Sequence, residues 1–100
     1  MQKEDVLAYL KDIKSDMVQN GIEKIGLFGS LAKGKSDSYS DIDIVIKTTP
    51  AFVEKHNGIY GFLFLEDLRT AIAKRFHRDV DICDETGLKN RTVLEGAIYA

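Results

Sequence analysis

A chain of 100 residues with 44% hydrophobic content can close one compact core and leaves no room for a second of ordinary size. Its 14 basic residues stand against 16 acidic ones, a balance that argues against a general polyanion binder and makes direct nucleic-acid binding an unexpected role. The single Cys83 excludes an internal disulfide, no apolar run approaches the length of a membrane helix, and the opening MQKEDVLAYLKDIK lacks the apolar segment of a secretory signal, so a cytoplasmic protein is expected.

From Gln2 to about Asn20, Val6, Leu10, Ile13 and Met17 recur at helical spacing and Gly21 stands as a stop, which predicts an amphipathic helix. Ile22 to Phe28, bounded by glycines, reads as a buried strand. Gly29 then lets the backbone turn, one helical turn is expected from about Ser30 to Lys33, and a loop follows through the rest of LAKGKSDSYS. Asp41 to Lys47 is the second strand. Alternation places Asp41, Asp43 and Val45 on one face of it, and Ile42, Ile44 and Ile46 on the other.

Between Thr48 and Gly61 the pattern fails at Pro50, Gly58 and Gly61, so a flexible excursion without regular structure is expected. Phe62, Leu65, Leu68, Ile72 and Phe76 trace the apolar stripe of a second helix that should cover one sheet face. Asp79 to Cys83 alternates as a third strand, with Asp79, Asp81 and Cys83 on one side. After a turn at Asp84 to Gly87, the spacing of Val93, Leu94, Ala97 and Ile98 predicts a closing helix over Leu88 to Tyr99. The fold class expected is α/β (α+β), a small mixed sheet flanked by helices, in a single domain spanning residues 1–100.

The chemistry concentrates between Ile25 and Ile46. Two carboxylates two residues apart on a strand point the same way and repel unless a cation sits between them, and oxygen ligands suit a hard ion such as Mg2+. Gly29-Ser30 at the start of a short helix would present backbone N–H groups and a hydroxyl to an anion. Simpler roles exist for each piece: Ser30 as an N-cap, Asp41 as a cap at a strand edge. Asp43, however, lies inside an apolar run, where an unpaired charge is expensive. Asp79 shares a strand face with Asp81. Asp81 is preferred because Val80 and Ile82 flank it, while Asp79 follows His77-Arg78 at a solvated strand start.

Gly29-Ser30, ten residues, Asp41-x-Asp43 and a later Val80-Asp81-Ile82 together resemble the polymerase β-like nucleotidyltransferase superfamily. The length and the GSLAKG, SDIDIVI and VDI forms look like its minimal nucleotidyltransferases, the MNT antitoxin half of HEPN-MNT toxin-antitoxin pairs. The resemblance implies a polymerase β-like fold, ATP as substrate, two Mg2+ ions held by Asp41, Asp43 and Asp81, and phosphate contacts from Gly29, Ser30 and Lys33. Asp81 would also help deprotonate the acceptor. Lys33 stands where the family commonly has Arg, and loses its bidentate fork.

The same resemblance implies AMP transfer to a hydroxyl side chain of a HEPN toxin in a hetero-oligomer. A non-catalytic antitoxin that neutralises by binding, or a subunit acting on a small molecule with a second polypeptide, are the alternatives. Retention of all three carboxylates favours the enzyme. Phe52, Ile59, Tyr60 and the closing helix to Tyr99 are the apolar surfaces expected to dock a partner, although Phe52 and Ile59 could instead close the core. Cys83 reads as a core or face-lining residue, His56 and His77 as surface residues, and the Phe62 stripe as core.

Overall fold

Val6, Leu10 and Met17 lie buried on one side of helix α1 (Lys3–Gln19), and this apolar stripe lays the helix against a sheet. The structure, a computed structural model, describes residues 2–35 and 41–100. At the start of α1, the Gln2 N–H donates to the Asp5 carboxylate at 2.8 Å, closing a capping box. There follow β1 (Ile22–Phe28), α2 (Gly29–Ala32), β2 (Ile42–Thr48), α3 (Pro50–Lys55), α4 (Ile59–Phe76) and β3 (Val80–Asp84). Two 3-10 turns, Glu85–Gly87 and Arg91–Leu94, lead to β4 (Ile98–Tyr99). The loop expected after Lys33 falls at 36–40, outside the described residues.

The strands lie in the order β3-β2-β1-β4, with β2 and β3 parallel and both pairs made by β1 antiparallel, so the sheet is mixed as expected. Register then sorts the side chains. Ile25 faces Ile46 and Leu27 faces Ile44 across β1 and β2, while Ile42 meets Val80 and Ile44 meets Ile82 across β2 and β3. These residues join Val6 and Leu10 of α1 and Leu68 and Ile72 of α4 in the core. Each fully buried Ile or Leu contributes about 1.5–3 kcal/mol relative to exposure, which fixes the face that β2 presents inward. The other face carries the rows Phe28–Asp43–Asp81 and Gly26–Val45–Cys83.

Three expectations are corrected. Thr48 to Gly61 is not irregular: Pro50 occupies the first turn of α3, where its fixed φ and missing N–H favour a helix start. Phe52 of that helix is buried, stacking edge-on against Phe64 at 5.6 Å and tilted against His56 at 5.1 Å. Helix α4 begins at Ile59 rather than Phe62, and Phe62 itself is exposed while Leu68 and Ile72 are buried, so the stripe reaches the core only through its later members.

The third correction concerns the tail. Leu88 to Tyr99 forms no α-helix; it makes the Arg91–Leu94 turn, capped by the Asn90 side chain accepting from the Thr92 N–H at 2.9 Å, and then pairs as β4 with the free edge of β1. Pairing with that edge satisfies backbone groups that a short exposed helix would leave to solvent. Smaller shifts occur at the strands: β2 starts at Ile42 and β3 at Val80, with Asp41 and Asp79 immediately before them. Among the described residues no helix is long and apolar enough to cross a membrane.

Candidate active site

The parallel pairing of β2 with β3 sets Asp43 directly opposite Asp81. Because Ile42 and Ile44 must face the core, both carboxylates emerge on the opposite face. Asp41, one residue before β2, is exposed and still acts on the same field. Burial pushes the Asp43 carboxyl above its ordinary range, and the negative charges of Asp81 and then Asp41 push it further. Asp81 and Asp41 therefore both repel Asp43 across one patch of the sheet.

Gly29 ends β1 on the same side. Its φ of 75° is one that side chains rarely adopt, and a Cβ there would collide with Oδ2 of Asp43. Only glycine allows the turn to press its backbone against that carboxylate. Ser30 follows in α2 and is exposed. The N-cap of α2 is Phe28, with no side-chain capping bond, so Ser30 does not serve as the cap. Lys33 is the exposed C-cap of α2, and its methylene stem lies 3.4 Å from where a Cβ on Gly96 would stand, beside the returning tail.

Asp79 is placed differently from Asp81. It precedes β3 and lines, with Asp41, an open cleft of about 740 Å3 whose other walls include Arg69, Lys74, His77 and Arg78. Among the described residues, no three carboxylate, imidazole or thiol groups are gathered closely enough to hold a metal ion. Asp43 and Asp81 nevertheless fit a hard divalent cation: both are oxygen donors, they face each other in register, and their repulsion is what such a cation would relieve.

Two groups were not singled out from the sequence, one beside the carboxylates and one past the far end of β3. Arg69 of α4 donates from Nη2 to Glu66 at 2.9 Å and lies in the field of Asp79 and Asp81. An i,i+3 Glu-Arg pair is visible in the sequence, but only the packing of α4 beside β3 brings it to the carboxylates. Glu85 is the second, a buried carboxylate that accepts from the Tyr99 hydroxyl at 2.7 Å.

The model of the family "Polymerase beta, Nucleotidyltransferase" matches residues 11–99. The chain belongs to that family. The polymerase β nucleotidyltransferase fold is seen again in a solved structure described as a minimal nucleotidyltransferase, with 26% identity, a TM-score of 0.70, and coverage of 98% of this chain and 95% of that one. A toxin-antitoxin crystal structure with AMP-PNP shares the fold at a TM-score of 0.63 and 21% identity, over 89% of this chain and 69% of that one. A nucleotidyltransferase structure from Sulfolobus solfataricus aligns at a TM-score of 0.51 and 22% identity, over 97% and 80% of the two chains. A search of curated proteins gives no significant match. In this nucleotidyltransferase fold, the Gly29 turn and the Asp43–Asp81 pair come from three strands separated in sequence and meet at one end of the sheet.

Proposed function

We propose that residues 1–100 act as a single minimal nucleotidyltransferase domain that transfers AMP from ATP to a hydroxyl side chain of a protein partner. In this reading Asp41, Asp43 and Asp81 would draw together around two Mg2+ ions, while Gly29, Ser30 and Lys33 receive the triphosphate. The observation that carries it is the in-register pair Asp43–Asp81 with Gly29 pressed against Asp43. A cluster of mutually repelling carboxylates gains little for a fold that does not bind a cation.

Bound Mg2+ would neutralise charge developing on the leaving pyrophosphate. The chain's own groups then have separable tasks. The Gly29 turn brings backbone N–H groups to the phosphates, the exposed Ser30 hydroxyl is free to join them, and Lys33 offers a point charge. Asp81, exposed and in register with Asp43, would accept the proton of an acceptor hydroxyl.

The partner in this reading is a HEPN-type toxin, the chain is its antitoxin in a cytoplasmic hetero-oligomer, and neutralisation follows from modification. Support comes from shared fold with a toxin-antitoxin structure that contains a nucleotide analogue. The test is mass spectrometry of the neighbouring gene's product, co-expressed with the wild type or with Asp41→Ala plus Asp43→Ala. The expected result is one added AMP mass on a serine, threonine or tyrosine and loss of toxicity, with the wild type only. Neutralisation by the double variant, with no added mass in either sample, would leave a binding antitoxin and overturn the enzyme. Incubation with each labelled nucleoside triphosphate and Mg2+ identifies the base.

A further inference from the structure

The first turns of α4 expose more apolar surface than a solvated helix needs. Ile59, Tyr60, Phe62 and Leu63 are 67%, 65%, 62% and 47% exposed, and their spacing makes them one contiguous patch. The patch does not end in open solvent. Phe62 also lines, with Leu65, a cleft of about 320 Å3 between α4 and β3 that takes in Ile82 and Asp81. The exposed patch thus adjoins a cleft that is also lined by Asp81, the residue given the acceptor's proton in the proposed reaction.

The charges of this cleft select its occupant. Asp81 and Asp84 line it together with the ion pair Glu66–Arg69, so the cleft carries a net negative charge. A nucleic acid would meet repulsion there. Lys74 and Arg78 line the neighbouring cleft that holds Asp41, and Arg69 lines both. A second copy docked symmetrically on the patch would bring the same acidic groups toward one another, and would cover the approach to Asp81. A polypeptide with apolar side chains and Lys or Arg nearby matches both the patch and the charge.

We propose that Ile59, Tyr60, Phe62 and Leu63, with the cleft leading to Asp81, form the docking surface for a polypeptide acceptor. Its apolar residues anchor on α4, and its cationic flank faces Glu66 and Asp84, the carboxylates of the cleft that the metal does not take. The proposal rests on the transferase reading for the role of Asp81, but the binding it requires is measurable without any transfer. It also moves the docking surface away from Phe52, which is buried, and from the tail.

The test is a fluorescein-labelled positional-scanning peptide library with a fixed central Ser, Thr or Tyr, read by anisotropy on the full chain with Mg2+ and AMP-PNP. Flanking positions should select apolar and Lys or Arg residues and disfavour Asp and Glu. Phe62→Ser plus Leu63→Ser should weaken the selected peptides by about tenfold or more, as loss of two anchor side chains does. Both residues are exposed, so the fold should persist, which the melting curve and AMP-PNP binding report. Val93→Ser, an exposed apolar site on the tail, should change nothing.

Selection of acidic or no flanking residues, equal binding by the double variant, or binding of an RNA 12-mer in place of peptide would overturn the proposal. So would sedimentation showing a wild-type dimer that the double variant dissolves, since the patch would then belong to a second copy. If peptides bind as expected and no nucleotide is transferred, the docking surface stands and the transferase reading falls.

Discussion

The hydroxyl of Tyr99, on the last strand, donates to the carboxylate of Glu85 at 2.7 Å, joining β4 at one edge of the sheet to the turn after β3 at the other. The ring crosses Gly26, where a Cβ would come within 3.0 Å of its Cδ1 atom, and Lys24 Nζ lies 5.4 Å from the ring centroid. Arg91 adds a second bond to the buried Glu85 at 3.3 Å. Burial and the Glu85 bond push the Tyr99 phenol up to about 12. The Tyr99 bond, outweighing burial, holds Glu85 below the ordinary carboxylate range.

Tyr99→Phe should therefore cost about 1–2 kcal/mol in denaturant unfolding, because a buried carboxylate loses its shorter donor. The sign of the pH effect follows from the raised value. The phenol's contribution is present below the unfolded tyrosine pKa of about 10 and is lost as pH rises through the folded one. Ultraviolet titration should show one of the four tyrosines ionising near 12 in the wild type and missing from the variant.

Asp84 ties the end of β3 to the end of β2. Its carboxylate accepts from the Thr48 hydroxyl at 2.5 Å, the Thr48 N–H at 3.3 Å and the Thr86 N–H at 3.0 Å. Burial raises this carboxyl, but the bonds from Thr48 and Thr86 together outweigh it and leave it below its usual value. A depressed value means stability that is present above the unfolded carboxylate pKa and lost as pH falls through the folded one. Asp84→Ala should cost about 1–3 kcal/mol at neutral pH, with a smaller difference in acid. Urea unfolding at the two pH values checks both parts.

Gly29→Ala is a sharper test of the site. The substituted residue would have to hold φ near 75° and would place its methyl on the Asp43 carboxylate. Strain of about 1–3 kcal/mol is expected from the backbone alone, and Asp43 must turn away from Asp81. The melting temperature should fall, and the stabilisation by Mg2+ with AMP-PNP should disappear. A variant that melts lower but keeps the full ligand-induced shift would mean that the turn supports the fold without shaping the site.

The strands that build the site were legible because alternation is a local signal: Ile42, Ile44 and Ile46 face the core, so Asp41 and Asp43 face away. The order of Gly29-Ser30, Asp41-x-Asp43 and Asp81 likewise survives as a linear pattern. The errors came where one local pattern fits two outcomes. Pro50 interrupts the apolar pattern, yet the same fixed φ starts a helix when a residue such as Thr49 precedes it in extended conformation. Val93, Leu94, Ala97 and Ile98 have helical spacing, but the unpaired edge of β1 offers the last residues a strand to join. No sequence window contains that edge. Arg69 and Glu85 belong to the same class, since their partners depend on packing between distant elements.

Asp43 offers the prediction that separates a functional carboxylate from a structural one. Burial, then Asp81, then Asp41 raise its carboxyl, so the ionised form is disfavoured in the folded protein. For a raised value the favourable contribution is complete below the unfolded carboxylate pKa, and it is lost as pH rises through the folded value. Metal-free protein at neutral pH therefore carries an uncompensated repulsion. Asp43→Asn keeps the shape and removes the charge, so its metal-free melting temperature at neutral pH should equal or exceed that of the wild type. That advantage should shrink as pH falls through the raised folded value, where the wild-type carboxylate takes up its proton. With Mg2+ and AMP-PNP the order should reverse, because only the wild type keeps the oxygen charge that a hard cation requires. A large metal-free loss of stability in Asp43→Asn would show that the carboxylate is held as a structural hydrogen-bond acceptor, and its assignment to the metal would fall.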